Sequence, residues 1–310
     1  MIKKTLYFGH PAYLSLQNGQ IVIKMPEVEK SDNVSDLVRR ESVTKRSIED
    51  VAFVVLDHRQ ITLTQGLLAA LIAGNCAVIT CDGRGMPVGM HLPLSGNTVM
   101  SERFRQQLAA SLPLRKQLWQ QTIRQKIENQ AAVLRECTSC ETRCMNVWAA
   151  DVRSGDPDNL EGRAAAYYWK NIFPSVPAFT RNREGAPPNN LLNYGYAILR
   201  AVIARALVSS GLLPCLGIHH HNRYNAYPLA DDIMEPYRPY VDRLVISLMR
   251  DCPDYSELTR ELKGTLLTIP TLDVCIDGLR RPLMVAASIT TASLSRCFSG
   301  EGRRLVLPVC

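Results

Sequence analysis

The sequence lacks several features that would assign its class directly. Ten cysteines in 310 residues are too few for the disulfide framework of a small secreted domain. No stretch approaches the roughly 18 uncharged apolar residues of a transmembrane helix, and we find no internal repeat or low-complexity tract. The first apolar run stops at Gly9, too early for a signal peptide. These absences leave a reduced, cytoplasmic globular protein without a membrane as the expectation.

Excess positive charge is also scarce over most of the chain. Residues 1–95 hold 10 basic and 9 acidic side chains, and residues 136–310 hold 19 and 18. Residues 101–135 hold 7 basic and 2 acidic side chains, which accounts for most of the net charge of +7. A basic segment of this kind indicates an anionic partner, nucleic acid foremost. A solvated helix face would have the same composition.

The spacing of apolar residues changes near residue 95. Before it, short β-branched runs and the hairpin signal Asn18-Gly19 predict a β-rich domain over residues 1–95. After it, helical spacing predominates. We therefore predict a two-domain, α+β protein, with a small β-rich N-terminal domain followed by a larger all-α domain over residues 96–310. The expected strands are 4–8, 13–17, 20–25, 51–56, 77–81 and 88–92. The expected helices are 64–73, a stretch from 101 broken at 113, 161–173, 190–210, 229–249 with interruptions at its prolines, 256–267 and 282–298.

Three neighbouring cysteines form one candidate metal site. Cys137, Cys140 and Cys144 include a CxxC pair, which is a spacing of zinc ligands. No second CxxC pair follows to complete a four-ligand site. A structural metal and a loop with incidental thiols both remain open for this segment.

A second group of candidates combines histidines with carboxylates. Three adjacent histidines occupy 219–221, and because adjacent side chains diverge, only one or two of them can face one point. Asp232 lies three residues before Glu235 and can share a helix face with it. A surface ion pair with Arg238 is the simplest alternative explanation for Glu235. Glu161 opens another predicted helix, where it could merely favour the helix dipole.

Together these residues offer one imidazole and two carboxylates. Such a mixed set of nitrogen and oxygen donors suits a hard or borderline divalent ion that keeps open positions for water and phosphate. A site of this type combined with a basic helical segment indicates phosphodiester chemistry on nucleic acid.

At these residues the sequence resembles the CRISPR adaptation integrases, metal-dependent enzymes that insert new spacers into a CRISPR array. The resemblance covers essentially the whole chain, and the form of its histidine and glutamate blocks is similar to the type II branch. The matching blocks are 61–71, Leu160-Glu161-Gly162 with Ala165, 187–196, Gly217-Ile218-His219-His220 and Asp232-Ile233-Met234-Glu235-Pro236-Tyr237-Arg238-Pro239.

The resemblance implies that Glu161, His220 and Glu235 are the catalytic metal ligands for Mg²⁺ or Mn²⁺. His219 is the second choice of ligand, and Asp232 would assist. The implied reaction is transesterification, in which the 3′-hydroxyl of a prespacer attacks a phosphodiester at the repeat boundary. The basic residues expected to contact DNA are Arg115, Lys116, Arg124, Arg163, Arg181, Arg223 and Arg238.

The resemblance also implies an assembly. The N-terminal domain would mediate homodimerisation, and the helical domain would be catalytic. Two homodimers would be bridged by a small ferredoxin-like CRISPR adaptation partner in a heterohexamer. The substrate would be double-stranded DNA, both the prespacer and the CRISPR repeat.

Two other functions are compatible with the same residues. A metal-dependent nuclease on branched or broken DNA would use the same site, with water in place of the 3′-hydroxyl. A non-enzymatic DNA-binding scaffold would use the histidines and thiols for a structural metal. Replacement of Glu161 separates the classes, because an enzyme loses turnover but keeps DNA binding, whereas a scaffold loses little.

Overall fold

Two units make up the chain, Met1–Leu94 and Ser95–Cys310. The computed structural model describes residues 3–26 and 43–310. The elements described in the first unit are β1 (Lys4–Phe8), β2 (Ala12–Gln17), β3 (Gln20–Lys24), β4 (Thr44–Ser47), a 3₁₀ turn (Ile48–Asp50), β5 (Val51–Leu56), β6 (Ile61–Leu63), α1 (Gln65–Ala73), β7 (Ala77–Cys81) and β8 (Pro87–His91).

The first unit contains two four-stranded sheets. One has the order β1-β5-β7-β8, with β8 antiparallel to its parallel neighbours. The other has the order β4-β3-β2-β6. Leu67 and Leu71 of α1, one turn apart, are fully buried in the same apolar cluster as Leu14 of the second sheet and Val54 of the first. Helix α1 and both sheets therefore share one core.

The hairpin predicted at Asn18-Gly19 is confirmed. Strands β2 and β3 pair antiparallel with Gln17 opposite Gln20. Asn18 and Gly19 have φ angles of 49° and 70°, as a type I′ turn requires. Strand β4 is not predicted, because its sequence TKRS is polar and mostly exposed. Strand β6 is not predicted either, although it lies in the matching block 61–71.

The second unit is mainly helical. Its elements are α2 (Met100–Leu108), α3 (Leu112–Cys137), α4 (Arg143–Asp151), α5 (Leu160–Asn171), α6 (Asn189–Ser209), α7 (Pro228–Met234), a 3₁₀ turn (Glu235–Tyr237), α8 (Arg238–Asp251), α9 (Arg260–Leu266), a 3₁₀ turn (Ile269–Thr271), β9 (Asp273–Ile276), β10 (Leu279–Pro282), α10 (Leu283–Ser299) and β11 (Pro308–Val309).

The prediction of an all-α second domain is wrong in one respect. Strands β9, β10 and β11 form an antiparallel sheet in the order β10-β9-β11. Asp277 and Gly278 join β9 to β10 with φ angles of 51° and 73°, so they form a second turn of the hairpin type. The flanking strands have only four residues each, too few for a clear alternation of apolar residues.

The break predicted at Pro113 lies between α2 and α3. Helix α3 begins at Leu112, and Pro113 occupies its first turn, where no backbone donor is needed. The hydroxyl of Ser111 caps this helix by accepting from the N–H of Leu114 at 3.4 Å. Helix α3 then runs for 26 residues with a largely buried face.

Helix α6 is the main core helix of the second unit. Within the described residues it alone is long and apolar enough to cross a membrane by length and composition, which the sequence analysis did not anticipate. Most of this helix is buried inside the fold. It therefore packs as the core helix of a globular unit does.

Candidate active site

One buried ammonium group joins the two glutamates that the sequence marks as candidates. Lys126 of α3 forms an ion pair with Glu235, with Nζ 2.7 Å from Oε2. The same Nζ contacts Oε1 of Glu161. The side chains of Lys126 and Glu235 are buried, and that of Glu161 is half-buried. The fold therefore brings the two carboxylates, distant in sequence, to a single cation.

Glu161 is positioned by the start of helix α5. The carboxylate of Asp156 accepts the backbone N–H groups of Leu160 at 2.9 Å and of Glu161 at 3.0 Å. The side chain of Asn159 caps the helix by accepting from Gly162 at 3.3 Å. A Cβ atom at Gly162 would lie 2.7 Å from the amide group of Asn159. This local structure fixes the direction in which Glu161 leaves the backbone.

Glu235 lies in the 3₁₀ turn between α7 and α8. Arg238 pairs with it, with Nη2 3.0 Å from Oε1, and this pair is largely buried rather than on the surface. Burial alone would raise the pKa of Glu235, but the charges of Arg238 and Lys126 outweigh burial and hold that pKa below its ordinary value. Burial alone would lower the pKa of Lys126, but Glu235 and Glu161 raise it above its ordinary value. Both partners of the pair are therefore charged at neutral pH.

His220 is held by Asp232. Its Nδ1 lies 2.5 Å from Oδ1 of Asp232, and this hydrogen bond raises the pKa of the imidazole despite burial. Asp232 also accepts the backbone N–H groups of Ile218 and His219, at 2.7 and 3.1 Å. A Cβ atom at Gly217 would lie 2.9 Å from Oδ2 of Asp232. The segment thus wraps around one carboxylate and leaves Nε2 of His220 as the ring nitrogen for a ligand.

Trp119 packs against the histidines and was not anticipated from the sequence. Its ring is parallel to that of His219 with centroids 4.0 Å apart, and it meets His220 edge-on at 5.6 Å. Burial, and then the charge of His220, lower the pKa of His219. His221 is exposed. The three adjacent histidines therefore have three different surroundings, of which only that of His220 includes a bonded carboxylate.

A buried hydrogen-bond network lies behind Arg238. The Arg238 guanidinium lies 4.8 Å from the ring centroid of Tyr196. The hydroxyl of Tyr196 donates to Asp242 at 2.5 Å, and that of Tyr168 donates to it at 2.9 Å. Burial raises the pKa of Asp242 to about 6, against the opposing effect of both tyrosine hydrogen bonds. This network fixes the arginine that pairs with Glu235.

A cavity of about 440 Å³ opens beside His220. Arg115 lies on its wall, three helical turns before Lys126 on the same side of α3. Arg223 lines it from the loop that follows the histidines, with a guanidinium nitrogen 2.5 Å from the hydroxyl of Tyr224. Apolar side chains, including Leu108 and Phe298, complete the wall. The cavity thus combines cationic and apolar surface next to an imidazole.

The other basic residues expected to contact DNA differ in accessibility. Lys116 and Arg163 are exposed, and the Arg163 guanidinium lies 5.8 Å from the ring centroid of Trp148. Arg124 is exposed but pairs with Glu128 at 3.1 Å, one turn further along α3. The basic residues of α3 therefore do not form one continuous face.

Arg181 and Arg238 use their guanidinium groups inside the fold. Arg181 donates to the side-chain oxygens of Asn189 and Asn193, at 2.9 and 2.8 Å, and lies over the ring of Tyr196 at 5.3 Å. The guanidinium of Arg238 pairs with Glu235 and also lies over the ring of Tyr196. Both arginines support the site from within.

The described residues contain no group of three or more His, Cys, Asp or Glu side chains that is already assembled to hold a metal ion. This applies to Cys137, Cys140 and Cys144, which are partly buried free thiols. It applies equally to Glu161, His220 and Glu235. In this arrangement the cation that contacts both carboxylates is the Lys126 ammonium.

Residues 6–268 match the family model described as CRISPR associated protein Cas1. The chain belongs to the Cas1 family. It is 40% identical over 290 residues to the CRISPR-associated endonuclease Cas1 of Neisseria meningitidis serogroup C (strain 8013), a match that covers 93% of this chain and 89% of that protein. It is 32% identical over 224 residues to the CRISPR-associated endonuclease Cas1 1 of Pyrobaculum aerophilum, covering 67% and 74%. The resemblance to CRISPR adaptation integrases is therefore confirmed.

Solved structures share the fold. A casposase bound to integration product matches with a TM-score of 0.77 at 20% identity, covering 98% of this Cas1-family chain and 92% of that one. A chain of a Cas6-RT-Cas1–Cas2 complex matches with a TM-score of 0.73 at 20% identity, covering 97% and 35%. A Cas1 protein from Thermotoga maritima matches with a TM-score of 0.72 at 15% identity, covering 96% and 97%.

Proposed function

We propose that this Cas1-family chain is a divalent-metal-dependent DNA integrase, which joins the 3′-hydroxyl of a prespacer to a phosphodiester at the boundary of a CRISPR repeat. The observation that carries the proposal is the meeting of Glu161 and Glu235 at one buried cation. His220 is oriented by its hydrogen bond to Asp232. Two carboxylates and an oriented imidazole are donors that suit a catalytic divalent ion.

Glu161, His220 and Glu235 are the residues that would hold Mg²⁺ or Mn²⁺. Their oxygen and nitrogen donors suit either ion, and the position between the carboxylates already attracts a cation, the Lys126 ammonium. When bound, the ion would offset negative charge on the phosphate and increase the acidity of the attacking hydroxyl.

The chain's own residues prepare this site. Asp232 binds Nδ1 of His220 and so presents Nε2. Arg238 holds Glu235 in its ionised form, because the guanidinium stabilises the carboxylate despite burial. No proton therefore has to leave Glu235 before it acts as a ligand at neutral pH.

The cavity beside His220 is where the end of a DNA strand would bind. Arg115 and Arg223 on its wall suit phosphate oxygens, and its apolar side chains suit a sugar or base. Exposed Lys116 and Arg163 would contact the duplex further away. Because Arg181 and Arg238 act inside the fold, we assign them to support of the site.

We also infer a homodimer formed through residues 1–95 and an assembly with a small ferredoxin-like adaptation partner, with catalysis in residues 96–310. The family likeness supports this inference, since a solved complex of similar fold contains Cas1 together with Cas2. Size-exclusion chromatography with light scattering, with and without the partner protein, measures both steps. A chain that stays monomeric alone and with the partner would contradict the assembly.

A nuclease acting on branched or broken DNA is the second candidate, because the curated relatives are named endonucleases. It would use the same residues with water as the nucleophile. Only the fate of the 3′-hydroxyl separates the two reactions.

The test is the joining of a labelled prespacer to a supercoiled plasmid that carries a repeat, with Mn²⁺ and the small partner present. The wild-type chain should form joined product, and Glu161→Gln should reduce it to background while DNA binding persists. Glu184→Gln, an exposed glutamate in a loop, is the matched control and should leave joining unchanged.

A prespacer with a 3′-dideoxy end separates the candidates. If the chain is an integrase, a prespacer with the dideoxy end should not be joined, because it lacks the attacking hydroxyl. Cleavage that continues with the dideoxy end, together with no joining of the normal end, would support the nuclease instead. A Glu161→Gln chain as active as wild type would contradict both enzyme assignments.

A further inference from the structure

Lys126 is the one charged group of the site to which the proposed reaction gives no role. It lies on α3 in the basic segment 101–135, which is described throughout, and of the seven basic side chains there it alone is buried. Its Nζ contacts Glu235 and Glu161. A buried lysine is rare because removal of its charge from water is costly. Its place therefore needs a specific explanation.

The ammonium and a metal ion cannot occupy this position together. Mg²⁺ binds oxygen ligands at about 2.0–2.1 Å. Lys126 Nζ already lies 2.7 Å from Oε2 of Glu235 and contacts Oε1 of Glu161. Two cations on the same oxygens would repel each other at close range in a poorly hydrated site. Metal binding by both carboxylates thus requires the ammonium to move away.

The geometry points to Lys126 as a built-in competitor for the divalent ion. We propose that its ammonium holds Glu161 and Glu235 together in the metal-free chain and withdraws when both carboxylates bind one ion. The long, flexible stem of lysine permits such a movement without a change in α3. This inference rests on the proposed metal site.

The competition couples metal binding to DNA binding. Once displaced, the ammonium needs another anion, and a phosphate of a bound DNA strand would provide one. DNA should therefore increase the affinity for the ion, and the ion should increase the affinity for DNA by the same factor, since coupling between two ligands is reciprocal. In a chain without metal and without DNA, the Lys126 ammonium would continue to offset the charge of the two carboxylates.

The experiment measures Mn²⁺ binding to the purified full-length chain by isothermal titration calorimetry, without DNA. Lys126→Met should bind Mn²⁺ more tightly than wild type, by about 5- to 150-fold, the usual range of coupling between sites. Lys170→Met is the matched control, an exposed lysine on α5, and should bind as wild type does. Thermal unfolding of each variant checks that it is folded.

A 3′-dideoxy DNA end tests the coupling without turnover. It should raise the Mn²⁺ affinity of wild type and change that of Lys126→Met much less. Lys126→Gln, which keeps polar contacts without the charge, is the second variant in case the methionine variant does not fold. Equal or weaker Mn²⁺ binding by a folded Lys126 variant would overturn the proposal, because it would mean that the lysine only anchors the carboxylates.

The failure of the metal site itself gives a different result. If wild type and both Lys126 variants bind no Mn²⁺, or if Glu161→Gln binds it as wild type does, the proposed function fails along with this inference. If Glu161→Gln loses Mn²⁺ binding and Lys126→Met gains none, only the role of Lys126 is overturned.

Discussion

Glu235 and Asp242 are buried carboxylates on consecutive elements, and their partners differ in kind. Glu235 faces the cations Lys126 and Arg238, which hold its pKa below the ordinary value despite burial. Asp242 accepts two tyrosine hydroxyls, and burial raises its pKa to about 6. Burial acts to raise the pKa of both carboxylates, but the cations beside Glu235 reverse its net shift whereas the hydroxyl groups beside Asp242 do not.

This difference in partners separates the region around Glu235, where we propose that the metal ion binds, from the region around Asp242, which supports it. A carboxylate kept ionised by cations can exchange those cations for a metal ion. A carboxylate fixed by hydroxyl donors has no such exchange available, and it serves to hold the tyrosines. Arg238 connects the two regions, since it pairs with Glu235 and lies over the ring of Tyr196.

The largest predicted difference lies between Glu235→Gln and Asp242→Asn in the joining of prespacer DNA. Glu235→Gln removes a proposed metal ligand and should lower the rate by more than about 100-fold, beyond the usual effect of residues that only orient a ligand. Asp242→Asn keeps the shape of the side chain and one acceptor oxygen, so it should lower the rate of joining by less than about tenfold. Equal losses in two folded variants would remove the distinction between the regions.

Alanine substitutions of the three histidines should be unequal. His220→Ala should abolish joining, because it removes the imidazole that Asp232 orients. His219→Ala removes the ring stacked on Trp119 and should cost on the order of 10- to 100-fold. His221→Ala should matter least, since its side chain is exposed. An inactive His219→Ala with an active His220→Ala would reassign the ligand to His219.

Asp242 also predicts a pH dependence of stability. Because the pKa of Asp242 is raised from 3.8 to about 6 in the fold, the folded chain binds more protons than the unfolded chain between these values. The contribution of Asp242 to the free energy of unfolding is therefore complete below about pH 4 and is lost as the pH rises through 6. The loss is roughly 3 kcal/mol at about 1.4 kcal/mol per pKa unit.

Urea unfolding of wild type and Asp242→Asn from pH 4 to pH 7 measures this loss. The free energy of unfolding of wild type should fall relative to the variant as the pH rises, because asparagine does not titrate. Glu235 contributes in the opposite direction in both proteins, so it cancels in the difference. A difference that is flat with pH would show that Asp242 does not titrate in this range.

The smallest predicted effect concerns the exposed cations. Arg115 on the cavity wall and exposed Lys116 should each bind one phosphate, so Arg115→Gln with Lys116→Gln should lower the salt dependence of DNA binding by about 0.9 per charge. Arg124→Gln should lower it less, because Glu128 already neutralises Arg124. Salt titrations by fluorescence anisotropy measure these slopes. An unchanged salt dependence of DNA binding in the double variant would show that this segment is a solvated surface without DNA contacts.

Local patterns predict much of the fold. The hairpin at Asn18-Gly19 and the apolar strands β5 and β7 follow from residue types within a few positions. The sheet of β9, β10 and β11 does not, because its strands have two to four residues and one of them joins from the chain's far end. The interruption expected within 229–249 is local and is confirmed, since Pro236 removes a backbone donor in the 3₁₀ turn that begins at Glu235.

The candidate site is also predictable only in part, because some of its contacts join residues that are distant in sequence. Residue type and spacing nominate Glu161, Glu235 and one or two of the histidines at 219–221, and only the family resemblance selects His220 among them. Nothing local distinguishes Lys126 from the other basic residues of its segment, or marks Trp119 as the partner of a histidine 100 residues away in sequence. These contacts depend on how α3 packs against α5 and the turn before α8, which only the tertiary structure defines.

Anomalous scattering from crystals soaked in Mn²⁺ tests the central claim most directly. The account predicts one peak between the carboxylates of Glu161 and Glu235 and the imidazole of His220, with the Lys126 ammonium moved off both carboxylates. A peak only at Cys137–Cys144, or no peak at a concentration that supports joining, would contradict it.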